Sequence, residues 1–336
     1  PFAIPPSPAI FVVVGGGPCP PPFIVDLGVM VVDPPPSTST TSQTFNLDSN
    51  ADDYRGYAYI NAEVWPSLVA TFGIAYTNFE DRFGDLKRWS PKFGVQWDLT
   101  DTIRLRGAYS KVVKPVLASN RLLEPTQVAG FNQFFDDGNA TRSARFGVGA
   151  DWRVLPDLYA GAEVTRREVE HRNIDLTVNR AVFENRDEYT HSAYVYWTPT
   201  ERIAVSARAI YDRFNASVPS LTIPAKVITR SFPFKATYFH PTGLFFEGTA
   251  SYVRQDVRRG PNSTLAEGDS SFGVFGLGAG YRLPKRKGIL SLSVENLFDR
   301  RMRYQDDSYR NFNQEPSGTP FVPERIIMGR VSLNFH

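Results

Sequence analysis

The feature that most constrains the fold is the position of the tryptophans, because four of the five stand directly before a short, turn-forming segment. On both sides of each turn the chain alternates apolar and polar residues. Two alternating segments and the short turn between them form a pair, and a longer polar stretch separates each pair from the next. Tryptophan and tyrosine are enriched where a membrane meets water. Short turns at one end, long loops at the other and an aromatic ring at one level are typical of a transmembrane β-barrel of the bacterial outer-membrane type. The predicted aromatic girdle consists of Trp65, Trp97, Trp152, Trp197 and Tyr281.

The alternation itself predicts strands with one apolar and one polar face. Phe146 and Val148, for example, are interleaved with Arg145 and Gly147, which is the period of a half-buried strand. A soluble β-sandwich also alternates, but the segments here run for about 10 to 14 residues, against about 5 to 6 in most soluble sheets. The sequence therefore predicts an all-β, antiparallel, up-and-down transmembrane barrel.

The pattern predicts about 14 strands, an even number that places both ends of the barrel on one side of the membrane. Sixteen is the alternative, if residues 8–14 and one more segment also pair. The short turns are expected to face the periplasm. The long loops are expected to face outward at residues 81–89, 113–141, 171–187, 214–225, 255–269 and 298–322. The predicted strands are 23–32, 54–65, 68–80, 90–98, 102–112, 142–152, 157–170, 188–198, 202–213, 226–239, 243–254, 270–283, 288–297 and 323–335.

Composition fits a barrel and excludes several other classes. The mean hydropathy is −0.28, which suits strands whose every second residue faces lipid. A net charge of +2 is too small to predict a nucleic-acid partner.

Eleven of the 26 prolines fall in the first 36 residues. We therefore divide the chain into a proline-rich segment, 1–41, which includes one candidate barrel strand at 23–32, and a barrel, 42–336. No signal peptide is recognisable, and we expect further sequence upstream.

The chemistry-bearing residues predict a lumen rather than an active site. The four histidines lie far apart, and no nucleophile motif or phosphate-binding loop is present, so we predict no enzyme activity, no metal and no cofactor. Charged residues on the polar faces are tolerated where they meet water or protein. They favour either a ladder of ion pairs or a channel with mild anion preference. The candidate lumen-facing residues are Lys92, Arg104, Arg106, Arg145, Asp151, Glu163, Arg208, Glu247, Arg282 and Glu295.

Three motifs resemble the barrel of TonB-dependent receptors. A hairpin carries Ser90-Pro91-Lys92-Phe93-Gly94, a Leu99-Thr100-Asp101 turn and Ala108-Tyr109-Ser110. Leu122-Leu123-Glu124-Pro125 resembles the family's L-x-P-E stretch with Glu and Pro in swapped order, and Asn296-Leu297-Phe298-Asp299 resembles its NLFD segment. The resemblance covers residues 90–336, the C-terminal barrel portion. It departs from the family in strand number, since that barrel has about 22 strands around a plugged lumen, and no plug domain is recognisable here.

The resemblance implies a channel or transport barrel of the bacterial outer membrane that passes or imports small solutes. One alternative is an export pore, fed with a secreted polymer by periplasmic domains upstream. Another is a structural barrel that anchors a surface assembly. The implied partners are outer-membrane lipid, an unidentified solute or polymer, and a periplasmic or upstream domain. No nucleic acid is expected.

Overall fold

The computed structural model describes residues 9–15, 23–32, 51–115, 124–135, 137–175, 180–217, 224–261, 267–300 and 325–335. Within these ranges the regular structure consists of seventeen strands and one short 3₁₀ helix, Pro284–Arg286. The strands are β1 (Ala9–Gly15), β2 (Phe23–Val32), β3 (Ala51–Trp65), β4 (Leu68–Asp81), β5 (Gly84–Asp98), β6 (Ile103–Val113), β7 (Gln127–Val128), β8 (Phe131–Asn132), β9 (Arg142–Leu155), β10 (Leu158–Asp175), β11 (Arg180–Thr200), β12 (Ile203–Ala216), β13 (Lys226–Phe239), β14 (Leu244–Arg258), β15 (Gly268–Leu283), β16 (Gly288–Glu295) and β17 (Ile326–Phe335).

One 15-stranded antiparallel sheet contains every strand except β7 and β8, which form a small hairpin of their own. Its order is β1-β2-β17-β16-β15-β14-β13-β12-β11-β10-β9-β6-β5-β4-β3. All fourteen predicted strands are present, and β1 is the additional one, close to the predicted 8–14. Within the described residues the sheet ends at β1 on one side and at β3 on the other.

The two faces of the sheet differ as the alternation predicts. Phe146, Val148 and Leu292 are 54%, 41% and 56% exposed, although they are apolar, so this face suits lipid. We call it the outer face. The opposite, inner face carries the polar and glycine positions, and the β7–β8 hairpin lies against it.

Short connections join the strands at one end of the sheet. Two residues, Pro66-Ser67, link β3 to β4, and the 3₁₀ helix lies between β15 and β16 with a left-handed Lys285 (φ 56°). The predicted girdle lies at this end, and the tryptophans are 41–62% exposed. Trp97 pairs with Leu68, and Trp152 with Ile103.

Two of the predicted outward loops are wrong, because the strands continue through them. β4 and β5 pair as far as Asp81 and Gly84, so a two-residue turn, Arg82-Phe83, replaces the predicted long loop 81–89. Gly84 adopts φ +144°, which glycine tolerates, and the Phe83 amide donates to Asp81 Oδ1 at 2.9 Å. Likewise β10 and β11 stay paired to Asp175 and Arg180, inside the predicted loop 171–187.

In the part of the chain that the structure describes, no helix is long and apolar enough to cross a membrane.

Candidate functional site

Residues 124–135, which we call the lumen loop, fold back onto the inner face. The sequence places them in an outward loop, 113–141, and that prediction is wrong for this segment. Val128, Ala129 and Phe131, which are 1%, 7% and 5% exposed, form a buried cluster with Ala108 of β6. Tyr59 of β3 packs against the same cluster, so the burial of apolar surface holds the loop against the wall.

Glycines on the inner face leave room for the lumen loop. A Cβ at Gly94 would lie 2.8 Å from the side chains of Val128 and Ala129. A Cβ at Gly147 would lie 2.7 Å from the Phe131 ring. Such distances are too short for carbon atoms, so any larger residue at either position would push the loop away from the wall.

A buried ion cluster fixes the start of the lumen loop to two strands, β3 and β5. The Glu124 side chain, 1% exposed, accepts from Lys92 Nζ at 2.7 Å, and the Lys92 side chain is fully buried. Arg55 of β3 forms a second ion pair with Glu124, and the Tyr59 hydroxyl donates to Glu124 Oε1 at 2.6 Å. A buried carboxylate needs this many partners, because burial of an unpaired charge is very costly.

The electrostatics of the cluster favour the charged form of Glu124. Burial raises the pKa of its carboxyl, but the positive charges of Lys92 and Arg55, together with the hydrogen bonds from Lys92 and Tyr59, outweigh burial and hold this pKa below its usual range. The carboxylate therefore stays ionised at neutral pH, and the ion pairs persist.

Gln133 closes the lumen loop. Its Nε2 donates to the Pro125 carbonyl at 2.7 Å and to the Tyr59 hydroxyl at 3.2 Å, and its backbone amide donates to the Thr126 carbonyl at 2.7 Å. Gln133 thus forms hydrogen bonds both within the loop and to the wall.

Arginines of the inner face pack against the aromatic rings of the loop. Arg106 lies 5.1 Å from the centre of the Phe131 ring. Arg145 and Arg167 lie 4.5 Å and 5.2 Å from the Phe134 ring. Cation–π contacts of this kind hold a charged side chain beside an apolar one, so the loop and the charged wall form one packed unit.

The structure brings part of the predicted lumen-facing set together. Arg106 donates from Nε to Asp151 Oδ2 at 2.6 Å, and its Nη2 lies 3.6 Å from Glu163. The Tyr194 hydroxyl also donates to Asp151. Arg145 has neutral partners, donating to the Asn132 carbonyl and to Thr165 Oγ1 at 2.7 Å and 3.3 Å.

The other predicted residues lie apart from this group. Arg104 pairs with Asp98 at the short-turn end, with both side chains about half exposed, and Lys235 pairs with Glu247 at 2.6 Å. Arg282 lies 4.3 Å from the Phe239 ring. Arg208 and Glu295 stand opposite Tyr194 and Ile326 in the strand register. A role for any of them in transport stays a prediction.

Sequence reasoning missed the residues that hold the loop, namely Arg55, Tyr59, Glu124 and Phe131. Two signals point to them. Apolar residues are concentrated in a stretch otherwise expected to be solvated, and Glu124 lies in one of the family-like motifs. No cluster of three His, Cys, Asp or Glu side chains suited to a metal ion occurs within the described ranges.

A large antiparallel wall with an apolar outer face, a charged inner face and short turns on one side defines an outer-membrane β-barrel. The chain belongs to the TonB dependent receptor-like β-barrel family, whose model matches residues 26–297. The predicted resemblance, fold class and bacterial outer-membrane location are therefore confirmed. The family is one of transporters and not of enzymes.

Solved structures of low sequence identity share the fold. The FrpB iron transporter from Neisseria meningitidis superposes with a TM-score of 0.63 at 14% identity, over 93% of this chain and 53% of that one. The ferric-catecholate import receptor Fiu from K12 E. coli gives 0.55 at 13%, over 93% and 51%. The ferripyoverdine receptor of the Pseudomonas aeruginosa outer membrane gives 0.52 at 16%, over 94% and 40%. The chain thus spans about half the length of these proteins or less. A comparison with curated proteins finds no match.

Proposed function

We propose that the chain forms the wall of an outer-membrane transport barrel that passes or imports small solutes, and that the lumen loop narrows its interior. The observation that carries the proposal is the buried Glu124 cluster. It attaches a compact segment to the inner face, where a solute would travel. A loop held by buried ion pairs and packed rings is a fixed constriction and not a freely moving strap.

The charges beside the loop support a path for polar solutes. Arg145 has only neutral hydrogen-bond partners, and Arg208 stands exposed on the inner face. Charged side chains lining a pore select ions by sign, so we expect a modest preference for anions. The similar solved structures are those of an iron transporter, a ferric-catecholate import receptor and a ferripyoverdine receptor, and iron or ferric chelates are the first solutes to test.

Single-channel conductance of the detergent-purified protein in a planar bilayer tests the proposal. We compare the wild type with a variant in which residues 126–133 are replaced by a glycine-serine linker. A small conductance that rises after loop replacement supports transport past a constriction. A folded barrel that conducts in neither form contradicts the proposal and favours the anchoring alternative.

A second experiment tests ion selectivity by removing one charge from the inner face. Arg208→Gln should lower the anion preference, measured as a shift in reversal potential under a salt gradient. Arg166→Gln, on the outer face, is the matched control and should leave it unchanged. Equal shifts in both variants would mean that the inner face does not line the conducting path.

A further inference from the structure

The outer face changes from apolar to basic along strands β12, β13 and β14. On the side of the short turns it carries Phe234 and Phe246, which are 45% and 50% exposed. Further along, Phe232 and Tyr252 pair across β13 and β14, with ring centres 6.3 Å apart. Beyond these rings most outward positions are basic, with Asn215, Ile228 and Asp256 between them. We call the basic residues the basic patch: Arg213, Lys226, Arg230, Arg254 and Arg258.

The register places like charges side by side. Arg230 pairs directly with Arg254, and Lys226 with Arg258. Like charges directly opposite each other in a sheet are destabilising. Asp256 lies between the two pairs and accepts from Arg258 at 3.1 Å. This arrangement therefore calls for an anion from outside the wall.

The other cations of the patch lack a carboxylate partner. Among the described residues Arg213, Lys226, Arg230 and Arg254 form no salt bridge, and Arg213 donates instead to Asn215 Oδ1 at 3.2 Å. Arg213 and Arg230 lie 5.6 Å from the Tyr189 and Tyr211 rings. The rings hold the guanidinium groups in place. The terminal nitrogens of Arg213 and the guanidinium of Arg230 keep donors for a ligand.

The height of the patch matches the membrane surface. Arg254 lies ten positions after Leu244, the first residue of β14, which is about 33 Å along the strand at about 3.3 Å per residue. A tilt of about 40° reduces this to about 25 Å, the height of the apolar band of such barrels. The patch therefore lies where lipid acyl chains end and headgroups begin, on the long-loop side.

We propose that the basic patch is a binding site for the phosphate groups of a lipid of the outer leaflet. Guanidinium groups bind phosphate oxygens through paired hydrogen bonds. Phe232 and Tyr252 provide apolar surface for the acyl chains immediately beside the charges. An anion joined to an apolar chain contacts both the basic patch and the aromatic rings, whereas a free anion contacts the basic patch alone.

Native mass spectrometry of the detergent-purified protein tests the site with bisphosphorylated lipid A and with the same lipid after dephosphorylation. The wild type should retain the phosphorylated lipid about tenfold more strongly. The double variant Arg230→Gln/Arg254→Gln should lose this difference. Arg166→Gln is the matched control, because Arg166 is also outward and close to a tyrosine but already pairs with Glu168 and Asp187, and it should behave as the wild type.

Equal retention of the two lipids by the wild type would overturn the proposal, and so would undiminished binding by the double variant. If that variant does not fold, the comparison of the two lipids on the wild type still decides. Inorganic phosphate at millimolar concentration serves as the third probe. Displacement of the lipid by free phosphate alone would identify a general anion site and overturn the lipid assignment.

Discussion

Lys92 Nζ lies 2.7 Å from Glu124 Oε1, and both side chains are almost completely withdrawn from solvent. Lys92 belongs to the wall and Glu124 to the lumen loop, so this ion pair joins two parts of the chain that are 32 positions apart in sequence. Removal of this pair should therefore weaken the attachment of the loop to the wall and destabilise the folded protein.

Glu124→Gln should destabilise the folded protein by about 3–5 kcal/mol, because it leaves Lys92 and Arg55 buried without their counter-ion. The free energy of unfolding, from urea titration in a bilayer, measures this. Glu170→Gln is the control. Its partner Arg142 lies 2.8 Å away on the outer face, where the Glu170 side chain is 43% exposed, and exposed pairs contribute about 0–1 kcal/mol. Equal losses in the two variants would contradict the assigned role of the cluster.

Acid should release the lumen loop. The pKa of Glu124 is lower in the folded protein than in the unfolded chain, so its contribution to stability is fully present above the ordinary glutamate pKa of about 4.3. That contribution is lost as the pH falls through the lowered value. Hydrogen exchange of residues 126–133 should therefore speed up in this acid range.

Glu124→Gln is the control for this pH dependence, because it removes the titrating group. Exchange in the loop should be faster than in the wild type at neutral pH and should show no further acid step. An identical acid profile in the wild type and the variant would assign the transition to another group.

The wall could be predicted from sequence, because the alternation that marks each strand is visible within that strand alone. Lipid on one side and polar groups on the other impose a period of two, and that period is visible around Phe146 and Val148. The lumen loop could not be predicted, since its environment comes from side chains distant in sequence. Glu124 looks solvated until Arg55 and Lys92 are placed beside it. The short turn at Asp81–Gly84 could not be predicted either. The polar residues there suggest a long loop, but pairing between β4 and β5 extends both strands through it.

Gly147→Ala should disturb the loop without breaking the wall. The new methyl group would lie 2.7 Å from the Phe131 ring and 3.1 Å from Thr165 Cγ2, and overpacking of this kind costs about 1–3 kcal/mol. Chymotrypsin cleavage at Phe131 or Phe134 should become faster. At Gly107, by contrast, a Cβ meets nothing within 4 Å, so Gly107→Ala should leave the cleavage rate unchanged. Faster cleavage in both variants would point to a general loosening of the wall.

The assignment of the two faces predicts opposite effects for neighbouring residues of β16. Leu292 is 56% exposed on the outer face, and an arginine facing lipid near the membrane midplane costs about 2–4 kcal/mol. Ser293 stands opposite Gly278 and Met328 on the inner face, where arginine meets water or protein. Leu292→Arg should therefore reduce the folded fraction, read from heat-modifiable mobility in gel electrophoresis after insertion into lipid vesicles. Ser293→Arg should fold as the wild type does. The reverse outcome would exchange the inner and outer faces, and with them the positions of the lumen loop and the basic patch.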